Sequence, residues 1–161
     1  MQMSRGVEWA VHTLLNLAWL GTNEPVSTAD LAAGHDLPPA YLNKQLQLLV
    51  KAGLLSSTPG VRGGFRLIRS PESITMLDVV DAIEGTGPVF RCAEIRRCGV
   101  IGTRSRAADF TTACAVNSAM GRAEVAWRDA LAAQTLAAVK AGAEAHAPTV
   151  PSVVQRVLGH D

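Results

Sequence analysis

Ser27-Thr28-Ala29-Asp30 opens a stretch that turns at Asp36-Leu37 and continues as Pro38-Pro39-Ala40-Tyr41-Leu42-Asn43-Lys44-Gln45-Leu46. Ser27 and Asp30 have the N-cap and N3 spacing of a capping box, which predicts a short helix through Ala33. The proline pair falls where a first helical turn tolerates proline. A second helix is expected over about 40–52, with Tyr41, Leu42, Leu46, Leu49 and Val50 on its apolar side and Gly53 closing it. Two short helices around so tight a corner make a helix-turn-helix. Immediately after it, 54–57 and 65–69 read as strands joined by Pro59-Gly60-Val61-Arg62-Gly63-Gly64. Such a hairpin, with Arg62 and Gly63 at a glycine-rich tip, has the character of a DNA-binding wing. Glycine lets backbone approach a phosphate, and arginine can enter a minor groove.

Charge agrees with that reading once its distribution is considered. The formal net charge is only +1, yet no Asp or Glu occurs between Leu37 and Pro71, where Lys44, Lys51, Arg62, Arg66 and Arg69 are all basic. A segment so polarised is a candidate phosphate footprint. Tyr41, Lys44 and Gln45 sit early in the second helix, the part that meets base edges or phosphates.

Around this head, Val7, Val11, Leu14, Leu15 and Ala18 form one stripe of an opening helix that Gly21 to Pro25 ends. Thr75-Met76-Leu77-Asp78 is a second capping box, opening a helix through Glu84. The stretch 86–113 loses periodicity and holds Cys92, Cys98 and five arginines, so it is expected to be an irregular loop of functional importance. An alanine-rich helix over about 115–141, with Met120, Trp127, Leu131 and Val139, has too few bulky residues to be buried alone and is expected to pack on a partner. The tail after Pro148 has enough valine and leucine for one docking helix. The expected organisation is a winged helix-turn-helix at 1–84, a cysteine-bearing loop at 85–114, a dimerisation helix at 115–145 and a C-terminal tail at 146–161. The fold class is mainly α with a small β-hairpin wing (α+β).

The 161 residues are 48% hydrophobic, yet no apolar run approaches the ~18–20 residues needed to cross a bilayer. The N-terminus lacks the features of a signal peptide, and the expected location is cytoplasmic, with no membrane partner. Three cysteines cannot complete an intramolecular disulfide framework, so they are read as ligands, reactive thiols or filler. No His-Glu-x-x-His, no Gly-x-Ser-x-Gly and no glycine-rich phosphate loop before a helix occurs, which argues against an enzyme.

The opening helix, the segment Pro39 to Leu46 with Ala52-Gly53-Leu54-Leu55, and the wing Gly60-Val61-Arg62-Gly63-Gly64-Phe65-Arg66-Leu67 occur together. In this combination the chain resembles the Rrf-type winged-helix transcription regulators (IscR/NsrR/RsrR-like) over roughly 1–142. It is most similar to the redox-sensing branch typified by RsrR, through Gly6-Val7-Glu8-Trp9-Ala10-Val11-His12, Phe90-Arg91-Cys92-Ala93-Glu94-Ile95, Ala113-Cys114 and Ala119-Met120-Gly121. The resemblance implies a homodimer on a palindromic double-stranded DNA operator, with a long helix of each subunit crossing the other. It also implies a [2Fe–2S] iron–sulfur cluster held by Cys92 and Cys114, with Glu8 and His12 from the other subunit's first helix. Other members use three closely spaced loop cysteines. Cys92 and Cys98 fit that spacing but Cys114 lies well beyond, so Cys98 stays open as a ligand in place of Glu8 or His12, or as a free thiol.

Residue chemistry is compatible with the implied site. Glu8 and His12 stand at i, i+4 and leave one helix face. Thiolates suit iron, and imidazole in place of thiolate raises a cluster's potential. Trp9, otherwise a core aromatic, is placed to gate such a site. The expected function is a transcription regulator, read as a repressor, that senses redox state or nitric oxide through the cluster. The alternative is a cofactor-free winged-helix repressor that senses through thiols or a small ligand.

Overall fold

The computed structural model describes residues 3–159. Positions 1–2 and 160–161, the outer limits of the expected first and last segments, lie outside the described residues. The order of elements is α1 (Arg5–Leu20), α2 (Thr28–Ala33), α3 (Pro39–Lys51), β1 (Leu55–Thr58), β2 (Gly64–Leu67), α4 (Met76–Glu84), α5 (Gly99–Arg104), α6 (Ala115–Ala132), α7 (Leu136–His146) and α8 (Val150–Leu158). The chain is mainly helical, with one two-stranded antiparallel sheet, and among the described residues no helix is long and apolar enough to cross a membrane. The described residues divide into two compact units: Gly87–Ala130, and 3–86 together with 131–159.

In the larger unit α1 is the central strut, packing against α3, α4, α7 and α8. Its stripe of Val7, Leu14 and Leu15 is buried while Glu8 and His12 are exposed. Gly21 ends it at φ 60, its amide donating to the Leu17 carbonyl, a left-handed cap that glycine adopts without Cβ strain. Both expected N-caps form, and the one at α4 closes as a full capping box. Ser27 accepts from the Asp30 amide at the start of α2, and Thr75 and Asp78 exchange bonds at the start of α4. Between α2 and α3 the chain turns through Asp36 at φ 51, and the Leu37 amide bonds the Ala32 carbonyl at 2.9 Å. Aspartate is among the few residues that visit this conformation readily.

Leu42, Leu46 and Leu49 of α3 are fully buried, each contributing roughly 1.5–3 kcal/mol, so the opposite side of α3 must face outward. The strands pair Leu55 with Leu67, Ser56 with Arg66, Ser57 with Phe65 and Thr58 with Gly64, starting or ending a residue or two from their expected limits. A bridge between Val26 and Phe65, with amide–carbonyl distances of 2.9 and 2.8 Å, ties the wing to the segment before α2.

The expected single helix over 115–141 is corrected: α6 ends at Ala132 and α7 begins at Leu136. The break has a non-local cause. The Met76 amide donates to the Gln134 carbonyl and the Leu136 amide to the Ile74 carbonyl, both at 2.8 Å, so the backbone leaves the helix to pair with the start of α4. Thr135 then caps α7 by accepting from the Ala138 amide. α7 packs against α1, where Trp19 Nε1 donates to Glu144 at 2.9 Å. The expected dimerisation segment is thus two helices, the second belonging to the larger unit. The tail forms α8, which docks on α1 with Leu158 buried.

In the smaller unit the stretch 86–113 is less irregular than expected, containing α5 and 3-10 turns at Ile95–Arg97 and Ala107–Phe110. None of the 18 residues of α6 is buried in the single chain.

Candidate nucleic-acid interface and metal site

Burial of one side of α3 leaves Tyr41, Asn43, Lys44 and Gln47 exposed. Asn43 and Gln47 line a groove of about 520 Å³ with Ser27, Thr28, Thr58, Gly60 and Gly63, so the outward face of α3 and the wing border one cleft. Sequence reasoning passed over Asn43 and Gln47, although both sit in phase with Lys44 on the outward face. It also placed Gln45 there, and this is corrected. Gln45 is only 6% exposed, with its amide against Gly6 of α1. A glycine on the facing helix leaves room for the amide inside.

Arg62 is exposed at the wing tip beside a fully exposed Val61. A Cβ at Gly63 would collide with the Thr58 carbonyl and one at Gly64 with the Val26 carbonyl, so only glycine permits this hairpin. Two other basic residues of the acid-free stretch are partly spent on structure. Arg66 donates to Ser56 Oγ at 3.1 Å, and Arg69 reaches Asp78 at 3.7 Å and the Ser73 carbonyl.

The candidate ligands on α1 lie close to this reading head. Trp9 is half-buried and meets Tyr41 edge to face. The His12 ring lies 5.6 Å from that of His35, which stands in the helix-turn-helix corner. The buried Asn16 amide donates to His35 Nε2 at 2.9 Å. Burial first, then the neighbouring His12, lowers the His35 pKa, in keeping with a ring that accepts through Nε2.

In the smaller unit Cys92, Glu94 and Cys114 bring one donor atom each to within 4.8 Å of one another. Among the described residues this is the convergent set of three or more metal-capable donors, and exposed Cys98 at the start of α5 is outside it. Cys114 precedes α6, and the Asn117 and Val116 amides, followed by Cys92 and Arg96, lower its pKa, as expected for a thiol at a helix N-terminus. At Cys92 the Glu94 amide also favours the thiolate. Burial, Cys114 and the Glu94 carboxylate outweigh it, so that thiol is raised.

Glu94 is the residue that sequence reasoning did not place as a donor; its only signal is a Cys-x-Glu spacing. Its backbone is left-handed at φ 50, its amide donates to Cys92 Sγ at 3.4 Å, and Oε1 accepts from that thiol at 3.6 Å. Oε2 accepts from Arg96 Nε at 3.0 Å and Arg97 Nε at 3.2 Å. Arg96 first among its partners holds the carboxyl below the usual range. The same arginines donate to the Thr112 carbonyl at 2.6 Å and the Phe110 carbonyl at 2.9 Å, and both guanidinium groups lie over the Phe110 ring. They thereby lash the Cys92 segment to the chain just before Cys114.

Comparison with known proteins agrees with the winged head. YffB of Lactococcus lactis subsp. lactis, named for an HTH-type transcriptional regulator, is 40% identical over 124 residues, which is 77% of each chain. The solved structure of CymR, titled the global cysteine regulator of B. subtilis, has a TM-score of 0.67 at 22% identity, covering 88% of this chain and 97% of that one. That of T. potens IscR has a TM-score of 0.66 at 22% identity, covering 91% of both. At such identities these two likenesses concern the fold. Residues 3–142 match the Rrf2 family, described as iron-dependent transcriptional regulators. With its helix-turn-helix, its wing and its basic face, this chain belongs to the Rrf2 family of winged helix-turn-helix, DNA-binding transcriptional regulators.

Proposed function

We propose that this regulator acts as a homodimer on a palindromic operator and senses redox state or nitric oxide through a [2Fe–2S] cluster. The observation that carries the reading is the convergence of Cys92 and Cys114 in a chain whose family is described as iron-dependent. The donor set fits such a group. Two adjacent thiols suit one iron, and the amides of Glu94, Val116 and Asn117 point hydrogen-bond donors at the two sulfurs. Glu8 and His12, both exposed and one turn apart on α1, would fill the remaining positions from a second copy. A cluster there supplies one-electron redox chemistry.

The chain's own residues account for the link to DNA. Glu8 and His12 flank Trp9, which abuts Tyr41 in the first turn of α3, while His12 abuts His35 in the corner. A shift of the ligand helix face therefore reaches the reading helix by direct ring contact. Half-site spacing on a palindrome is fixed by the DNA helix, so small movements of two heads change affinity steeply.

Anaerobic purification with iron and sulfide analysis and visible absorption tests the site. A brown protein that loses its iron in Cys92→Ala and Cys114→Ala and keeps it in Cys98→Ala is expected. A colourless protein in all preparations favours the second reading, a thiol-based sensor without cofactor. That reading draws on the proximity of the Cys92 and Cys114 sulfurs, which lie within 4.8 Å of each other.

A further inference from the structure

We propose that Cys92, Glu94 and Cys114 also form a self-contained site for one divalent metal ion of zinc-like softness, held within a single subunit. It shares its two thiols with the cluster reading but requires neither the cluster nor Glu8 and His12. The three donor atoms already lie within 4.8 Å of one another, so a modest closing movement brings them to the roughly 3.3–3.8 Å separation of tetrahedral ligands on one ion. Two thiolates and one carboxylate, with a fourth position open to water, are a donor set that zinc accepts.

Glu94 is positioned for this role by its two oxygens doing different work. Oε2 is held by Arg96 and Arg97, while Oε1 faces the Cys92 sulfur. The oxygen that now accepts from the Cys92 thiol is the one free to take a metal once that proton leaves. The arginines also brace the scaffold through the Thr112 and Phe110 carbonyls, so the chain segments that bear the cysteines are joined before any metal arrives.

Charge points to a divalent cation. Two thiolates and a carboxylate bring three negative charges; a divalent ion leaves one, which the two adjacent guanidinium groups offset. Binding releases the two thiol protons to solvent. Because both cysteines are used, the single metal and the cluster exclude one another, and the loop has a defined metal-bound form when iron–sulfur assembly has not occurred.

The test uses the full chain, reduced and stripped of metal, titrated anaerobically with Co²⁺ and then Zn²⁺. One equivalent of Co²⁺ should give thiolate charge-transfer and four-coordinate d–d bands that one equivalent of Zn²⁺ abolishes. Glu94→Gln should weaken Zn²⁺ at least about tenfold, and Glu94→Asp, which keeps the carboxylate, should recover part of the loss. Glu8→Gln with His12→Ala, and separately Cys98→Ala, should leave the titration unchanged. Absence of the thiolate band, equal affinities for wild type and Glu94→Gln, or loss of the bands in the Glu8/His12 variant would each overturn the proposal. A normal cobalt titration in a protein that takes up no iron and sulfide would remove the cluster reading and leave this site standing.

Discussion

The indole of Trp9 and the phenol ring of Tyr41 meet edge to face, with ring centroids 5.1 Å apart and planes inclined at 78°. Trp9 follows Glu8 on α1, and Tyr41 stands half exposed in the first turn of α3. An edge-on aromatic pair contributes about 0.5–1.5 kcal/mol beyond its buried area. A double-mutant cycle on Trp9→Leu and Tyr41→Leu should return a coupling of that size in unfolding free energy. Tyr41→Leu should also weaken operator binding while leaving metal uptake intact, because the ring stands on α3 and touches Trp9 rather than a proposed ligand. A coupling indistinguishable from zero would remove the pair as a mechanical link.

Each phosphate neutralised by a basic side chain releases counterions, so binding falls with ionic strength. Arg62 is exposed and has no ion pair among the described residues. Arg62→Ala should weaken binding to all duplexes alike and reduce the log–log salt slope by about one. Gly63→Ala should do more damage, since its Cβ would meet the Thr58 carbonyl and distort the hairpin. An unchanged slope for Arg62→Ala would take the wing out of the interface.

Association is tested on α6. Phe90, Val89, Met120 and Trp127 line an apolar hollow of about 170 Å³ on a unit in which α6 buries nothing of its own. Such a face is what a second copy would cover. Met120→Glu places an unpaired charge there, at a cost of several kcal/mol if the face is buried between subunits. Sedimentation should show a wild-type dimer and a largely monomeric variant; a monomeric wild type would end the cross-subunit arrangement.

Much of the reading head was legible because its signals are local. Ser27, Asp30, Thr75 and Asp78 cap within three residues, and Pro38, Pro39, Gly53 and Gly63 act through their own backbone. What was misread depends on distant partners. Nothing near Gln134 announces that its carbonyl will accept from Met76 and end α6. Gln45 looks like a polar reading residue until Gly6, on another helix, is seen to leave it space. Glu94 becomes a candidate donor only because its left-handed backbone and two arginines aim it at Cys92, an arrangement that spacing alone does not encode.

Stability should respond to acid through Glu144. Lys140 at 2.7 Å, then the Trp19 indole, lower its pKa. A carboxyl depressed in the folded state stabilises fully above its unfolded value, about 4.3, and that contribution is lost as pH falls through the folded pKa. Glu144→Gln should therefore lower stability at neutral pH and flatten the pH dependence below about 5. Urea unfolding at several pH values checks this; parallel curves for the two proteins would contradict it.

On the proposed function, the state of the metal site sets affinity for DNA. The direct measurement is fluorescence anisotropy with one in-vitro-selected palindromic duplex at a fixed salt concentration, comparing oxidised, reduced and cluster-free protein. A coupling of about 1–3 kcal/mol predicts affinities that differ by roughly 5–150-fold between states, with the difference abolished in Cys92→Ala and Cys114→Ala. Equal affinities in all three states would contradict the account and leave the cysteine site without a part in regulation.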